Sequence, residues 1–388
     1  MSAQSLPLDS PVLLARLRRA REDQGLSQGS VAEELGVART TIVAIEQGER
    51  RLRPEELLAL ADIYGERLDG LLREDPPPRS LAAQFRTSFG RRPEQDELRL
   101  AAAELQRLSE DYVEVERLLE LGAVTRYPTP VALAPGADIE TEAALLAESE
   151  RGRLGLGDGP LPHLRELLEN DVGLRVFSIG LPSTIAGLFG FDPELGACVA
   201  INANQRWERQ RWSMAHEYAH FLTRRDRAEV TVLMSSYRRV PASERFADAF
   251  ARYFVLPASG VTRRYRAAVS DAGKATTGLL LQQADWWSVS FQAYVMRLED
   301  LRLVKPGLHD RLARRGFQVG EGRDLLGLPV HPADARLLPR RFRLLAVTAY
   351  DQGLLSEERL AHLLREDRIG TRATVSELLT TLPEDSAQ

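Results

Sequence analysis

His216, Glu217 and His220 are spaced as H-E-x-x-H. Two His four residues apart lie on one face of a helix and can reach a single metal ion. The Glu one step beyond the first His falls beside such an ion, where it can take a proton from water. The chain has only six His, so a chance match is improbable. The same three residues could also sit on a solvated helix face, so their flanks matter. Residues 206–223 contain no Pro or Gly, and Trp207, Met214, Tyr218, Phe221 and Leu222 recur at helical spacing. A mostly buried helix is expected, and neutral imidazoles on it need a metal or a hydrogen bond.

A catalytic zinc takes three protein ligands and leaves one position for water. A second helix is expected at 242–256, with Phe246, Phe250 and Phe254 on its buried face and Pro257 closing it. Glu244 and Asp248 lie four apart on this helix, and either could complete the site. Glu244 is the better candidate ligand. Asp248 suits a hydrogen bond to a ligand His, although a solvated carboxylate is an equal reading. The intervening loop, 224–241, would rim a cleft.

These two blocks resemble the ImmA/IrrE family of bacterial and phage zinc metallopeptidases. The resemblance rests on Ile201-Asn202, Arg209, Arg211-Trp212, Ala215-His216-Glu217 and His220, followed by Glu244, Ala247-Asp248, Phe250-Ala251 and Pro257. Trp212 and Leu256 stand where the family often has Phe and Met. The resemblance implies that His216, His220 and Glu244 bind one Zn2+, with Mn2+ as an alternative, and that Glu217 is the general base. It extends over about 140–305: an opening helix at 141–154, strands at 174–177 and 197–201, and a helix pair at 284–301. An oxyanion donor is also expected, with Tyr237 and His163 as candidates.

The N-terminal segment carries a different pattern. Leu26-Ser27-Gln28, Val31-Ala32, Leu35-Gly36-Val37, Ile42, Ile45-Glu46 and Gly48 resemble the phage-repressor (XRE) type of helix-turn-helix domain. Ser27 is placed to cap the second helix. Arg39, Thr40 and Thr41 would face base edges in the major groove of double-stranded operator DNA. Gln28 suits a phosphate or base contact, and Arg50, Arg51 and Arg53 suit phosphates. The segment holds slightly more acidic than basic residues, so a protein-interaction module is the competing reading.

At 388 residues and net charge −5, several domains are expected. No apolar run is long enough to span a membrane and no signal pattern is present, so a cytoplasmic protein is expected. The single Cys, Cys198, excludes an internal disulfide and a thiolate-rich zinc site. The expected fold is mainly α and multidomain. An all-α helix-turn-helix domain spans 10–73. A linker at 74–137 contains a long helix, 93–121. An α+β zincin-like metallopeptidase domain with a small sheet spans 138–305, and a helical extension of unknown role spans 306–388. The long helix has an apolar seam through Leu98, Ala101, Ala102, Leu105, Leu108, Tyr112, Val115, Leu118 and Leu119. The seam fits either packing within the chain or a homodimer, which repressor-type modules usually need.

Residues 206–266 hold thirteen Arg against six Asp and Glu, interleaved with aromatics. Arg with aromatics is what a single-stranded nucleic-acid groove uses, so Arg224, Arg225, Arg238 and Arg239 are candidates for sensing an activating single-stranded DNA. The competing reading is a set of solvated arginines. The function expected is a transcriptional regulator fused to a zinc endopeptidase. It would cut a repressor, itself or a partner, to switch on genes for stress, DNA damage or mobile elements. Exposed linkers at 74–92 and 122–137 are the candidate cut sites. The alternatives are a ligand-responsive transcription factor whose peptidase-like domain only senses, and a toxin–antitoxin or phage-immunity component.

Overall fold

A computed structural model of the chain describes residues 10–23, 26–64, 71–72, 81, 84–85, 95–122, 127–131, 138–225, 228–232, 241–332 and 336–380. The chain divides into two units, Met1–Ala83 and Gln84–Gln388.

The first unit is all helix: α1 (Pro11–Asp23), α2 (Gln28–Leu35), α3 (Arg39–Gln47) and α4 (Pro54–Tyr64). Ser27 caps α2 by accepting the Ser30 amide at 3.0 Å. Gly36 and Gly48 end α2 and α3 in the left-handed region, where a side chain would be strained. Leu13, Leu17, Val31, Ile42, Ile45, Leu57, Leu60 and Tyr64 fill the core. One buried ion pair crosses it, with Arg21 holding both carboxylate oxygens of Glu46 at 2.6 and 3.0 Å.

The second unit is built around a four-stranded mixed sheet, β1 (Arg175–Ile179), β2 (Ile185–Asp192), β3 (Gly196–Asn202) and β4 (Glu229–Val232), in the order β1-β3-β2-β4. β1 runs parallel to β3; β2 is antiparallel to β3 and to the edge strand β4. Nearly every residue of the three long strands is buried, so helices cover both faces. The expected loop at 224–241 therefore contains a strand, and β2 is a strand the apolar patterning did not pick out. Gly187 and Gly190 interrupt its β-propensity.

Three helices surround the putting-together of the site: α6 (Ile139–Arg153), α8 (Trp207–Thr223) and α9 (Ala242–Val255) pack on one another, and α8 lies on β2 and β3. A short α7 (Leu164–Leu167) runs into a π-helical turn, Leu168–Val172, before β1. After α9 come α10 (Ala258–Ala272), α11 (Thr277–Trp286), α12 (Phe291–Asp300), α13 (Leu308–Arg314) and α14 (Val319–Leu325). None of the described helices is long and apolar enough to cross a membrane.

The long helix, α5 (Gln95–Leu118), packs on β1, β3 and the C-terminal α15 (Arg340–Asp351). Its seam residues Leu98, Ala102, Leu105, Leu108, Tyr112 and Val115 are thus buried inside their own unit. Tyr112 stacks near Phe342 of α15 at 5.1 Å. Glu116 of α5 sits between Arg175 of β1 (2.5 Å) and Arg341 of α15 (2.6 Å). Arg359 of α16 (Glu357–Leu364) pairs with Asp111 and Glu114, and α17 (Arg368–Thr380) packs behind. The C-terminal extension is the second half of the layer that α5 begins.

The chain's preference for Arg over Lys has a structural use. Arg151 donates to the carbonyls of Gly157, Gly159 and Phe254, and Arg211 to those of Leu161, Pro162 and Ser288. A planar guanidinium with five donors can gather several loop carbonyls, which an ammonium on a flexible stem cannot do as well. Burial pulls both groups down to about 10, so they remain charged at neutral pH.

Candidate metal centre

Helix α8 is buried along almost its whole length from Gln210 to Leu222. His216 and His220 are one turn apart on it, with their rings edge to face at 4.9 Å. Their Nε2 atoms are 3.1 Å apart. Helix α9 brings Glu244 to the same point: its Oε2 is 3.4 Å from His216 Nε2 and its Oε1 is 3.3 Å from His220 Nε2. Phe250 and Phe254 of α9 meet Tyr218 of α8 edge-on at 5.7 and 5.5 Å, which fixes the two helices against each other. Tyr218 in turn donates from its hydroxyl to buried Glu150 of α6.

These separations test whether a metal fits. Ligands at about 2.0–2.1 Å from a tetrahedral zinc lie about 3.3 Å from one another. The three contacts of 3.1, 3.3 and 3.4 Å match that edge. Their chemistry agrees. Asp248 lies 2.9 Å from His216 Nδ1 and can accept its proton; in the neutral imidazole this makes Nε2 the acceptor, facing another imidazole nitrogen and a carboxylate. Among the described residues, His216, His220 and Glu244 are the group whose ligand atoms converge in this way.

Burial opposes a charged His216 imidazole, yet the hydrogen bonds with Asp248 and Glu244 and the Glu217 charge outweigh it, raising its pKa to about 10. Burial likewise raises the pKa of Glu244, but hydrogen bonds from His216 and His220 prevail and hold the carboxyl far below its usual range. The Asp248 and Glu244 carboxylates thus favour positive charge at the point where the two imidazoles meet.

Glu217 is fully buried, and neither of its carboxylate oxygens has a hydrogen-bond partner. Burial pushes its pKa up, against the neighbouring His220 and His216. Gly187 of β2 makes its position possible. A methyl group on Gly187 would lie 2.6 Å from Glu217 Oε1, 3.2 Å from its Cδ and 3.0 Å from the Ala200 carbonyl oxygen. No local pattern marks this residue, because the contact joins two elements thirty positions apart.

Residues 17–71 match the family model described as helix-turn-helix, and residues 169–299 match the one described as the IrrE N-terminal-like domain. The chain joins an XRE-type helix-turn-helix domain to an ImmA/IrrE-type metallopeptidase domain. No curated protein matches the chain. The peptidase-domain match ends within α12, so α5 and α15–α17 lie outside it.

The other expected site residues fall out unevenly. On the helix-turn-helix unit, Arg39 and Thr40 are exposed at the start of α3, Thr41 is half-buried and Arg51 is exposed. Gln28 donates to Glu46 at 2.9 Å, and Arg50 pairs with Glu56 at 2.8 Å, so both are committed within the domain. In the peptidase domain, Arg225 is not a cation offered to a cleft. Its guanidinium packs 4.1 Å from the Phe221 ring centre and 5.1 Å from that of Tyr127, and it donates to the Pro128 carbonyl. Arg252 and Arg263 are paired with Asp300 and Asp158. Much of the arginine excess at 206–266 is therefore used inside the fold. Arg224 is half-buried at the end of α8, and its amide donates to the His220 carbonyl. Arg238, Arg239 and Tyr237 lie outside the described residues. His163 is exposed at the start of α7, beside the loop that Arg211 binds. Of the candidate cut sites, most of 74–92 and 122–137 lies outside the described residues. The stretch 127–131 is tied down, with the Val131 amide on the Leu222 carbonyl at 2.8 Å.

Proposed function

We propose that this chain is a DNA-binding regulator whose peptidase domain hydrolyses a repressor-type protein, either itself or a partner. The observation that carries the reading is the convergence of His216, His220 and Glu244 beside the partnerless carboxylate of Glu217. His216, His220 and Glu244 would hold one divalent ion, zinc with manganese as the alternative. Such an ion supplies Lewis acidity, making a water acidic near neutral pH and drawing electron density from a peptide carbonyl. Glu217 accepts that water's proton and returns it to the leaving amine. Asp248 fixes the His216 tautomer through Nδ1, so that Nε2 stays free to bind.

The helix-turn-helix unit supplies the target. Arg39, Thr40 and Thr41 at the head of α3 are the residues for operator base edges, and Arg51 for phosphates. In this scheme the unit represses a promoter as a dimer, and a signal such as single-stranded DNA releases proteolysis. Genes for stress, damage repair or mobile elements would be the regulated set. The experiment is incubation of the purified chain with zinc or manganese, with and without single-stranded DNA, alone and beside a co-encoded repressor. The wild-type chain should cut one of these proteins, and the Glu217→Gln variant should cut neither. Equal cleavage by both would remove the peptidase reading. A chain that takes up no metal would instead favour a ligand-responsive regulator without proteolysis.

A further inference from the structure

The sheet, and not only the helix that bears it, positions the carboxylate of Glu217. Gly187 on β2 faces that carboxylate so closely that no side chain fits between them. In the antiparallel register Gly187 stands opposite Thr231 of the edge strand β4. Residues directly opposite in such a pair project from the same face of the sheet. Thr231 therefore points to the side on which Glu217 lies. Thr231 is 4 % exposed, and its Oγ1 has no hydrogen-bond partner. Glu217 is 0 % exposed, and both its oxygens lack one. A buried hydroxyl donor and a buried carboxylate acceptor, both beside Gly187 and near enough for the hydroxyl to act on the carboxylate though short of full hydrogen-bond geometry, are complementary. A turn of the hydroxyl, or one bridging water, would satisfy both.

We infer that Thr231 is a positioning residue for Glu217, and that Gly187 is the gap through which the two groups meet. Thr231 would hold the carboxylate at the angle from which it takes and returns a proton. A valine would fill the same space without the donor, whereas a serine would keep the donor. The inference rests on the peptidase reading for its consequence in catalysis, but the contact itself can be measured without catalysis.

The experiment uses the full chain. In the zinc-loaded protein, Thr231→Val should lower kcat for cleavage of the repressor substrate about 10-fold, the size expected for loss of an orienting partner. KM and zinc stoichiometry should be unchanged, and Thr231→Ser should restore most of the rate. Gly187→Ala should lower kcat by about 100-fold, as expected for a catalytic group displaced by about 1 Å. In the metal-free protein, the Tm changes caused by Gly187→Ala and by Thr231→Val should both become smaller when Glu217 is also Ala. Wild-type rates in Thr231→Val, equal losses in the Val and Ser variants, or Tm changes that add across both pairs would overturn the inference. If the wild-type chain cleaves nothing, the peptidase reading falls, and the Tm cycles still decide whether the seat exists.

Discussion

Replacing Glu116 by Ala should destabilise the second unit by about 3 kcal/mol. Among the described residues, its carboxylate is shared between buried Arg175 and part-buried Arg341 at 2.5 and 2.6 Å. Side-chain exposure is 4 % for Glu116, 6 % for Arg175 and 29 % for Arg341. Removing one member of a buried ion cluster costs about 3–5 kcal/mol, because the charge left behind is stranded. Two features place this case at the lower end. Arg175 keeps its bond to the Leu195 carbonyl, and Arg341 is exposed enough to recover water and still holds Tyr112 at 2.7 Å. Glu116→Gln keeps the volume and some hydrogen bonding, and should cost about 1–2 kcal/mol. All four Trp lie at 207, 212, 286 and 287, so Trp fluorescence during urea unfolding reports on the second unit alone. The apolar triple variant Glu116→Leu, Arg175→Met, Arg341→Met should recover most of the loss, since well-packed apolar replacements of such clusters are often neutral. A cost below about 1 kcal/mol for Glu116→Ala would refute the claim that this cluster welds α5 and α15 to the sheet.

Three further outcomes follow from the geometry. Asp248→Ala should weaken zinc binding about 10-fold in a competition titration, the low end of the range for an outer partner of a ligand His, because the Asp248 side chain is about half exposed. Gly260→Ala should destabilise the second unit by about 3 kcal/mol, since the added methyl would lie 1.8 Å from the Asp158 carbonyl oxygen and 3.0 Å from the Trp287 ring. Unfolding followed by Trp fluorescence would show it. In the first unit, burial raises the pKa of Glu56, but its bonds with Arg50 and the Arg53 amide outweigh this and lower it. The stabilisation this gives is present above the unfolded carboxylate value and is lost as pH falls through the lowered folded one. Hydrogen exchange in α4 should therefore separate wild type from Glu56→Gln at pH 7 and bring them together near the bottom of the acid range.

The convergence of His216, His220 and Glu244 was legible in the sequence because its parts are local. H-E-x-x-H is one helical turn, and Glu244 lies on a helix whose Phe spacing announces its buried face. What was not legible depends on distant pairing. The seam of α5 reads as apolar, but only the fold shows that a helix more than two hundred residues later covers it. The arginines at 206–266 read as free charge by count, whereas Arg211 and Arg225 are consumed by loop carbonyls and aromatic rings. Strand β2 was hidden by the glycines that its position requires, and Gly187 is the clearest instance: the feature that weakened the strand signal is the one that admits Glu217. Strand β4 is too short to announce itself at four residues.

The most direct test of the account is a metal titration of the metal-free chain, read as stoichiometry and affinity for zinc and manganese. Wild type and Glu217→Gln should each bind one ion per chain with similar affinity, and Glu244→Ala should lose at least 100-fold, on the order of what loss of a direct ligand exceeds over loss of an outer one. If Glu244→Ala binds as tightly as wild type, or if the wild-type chain takes up neither metal, then His216, His220 and Glu244 are not a metal centre.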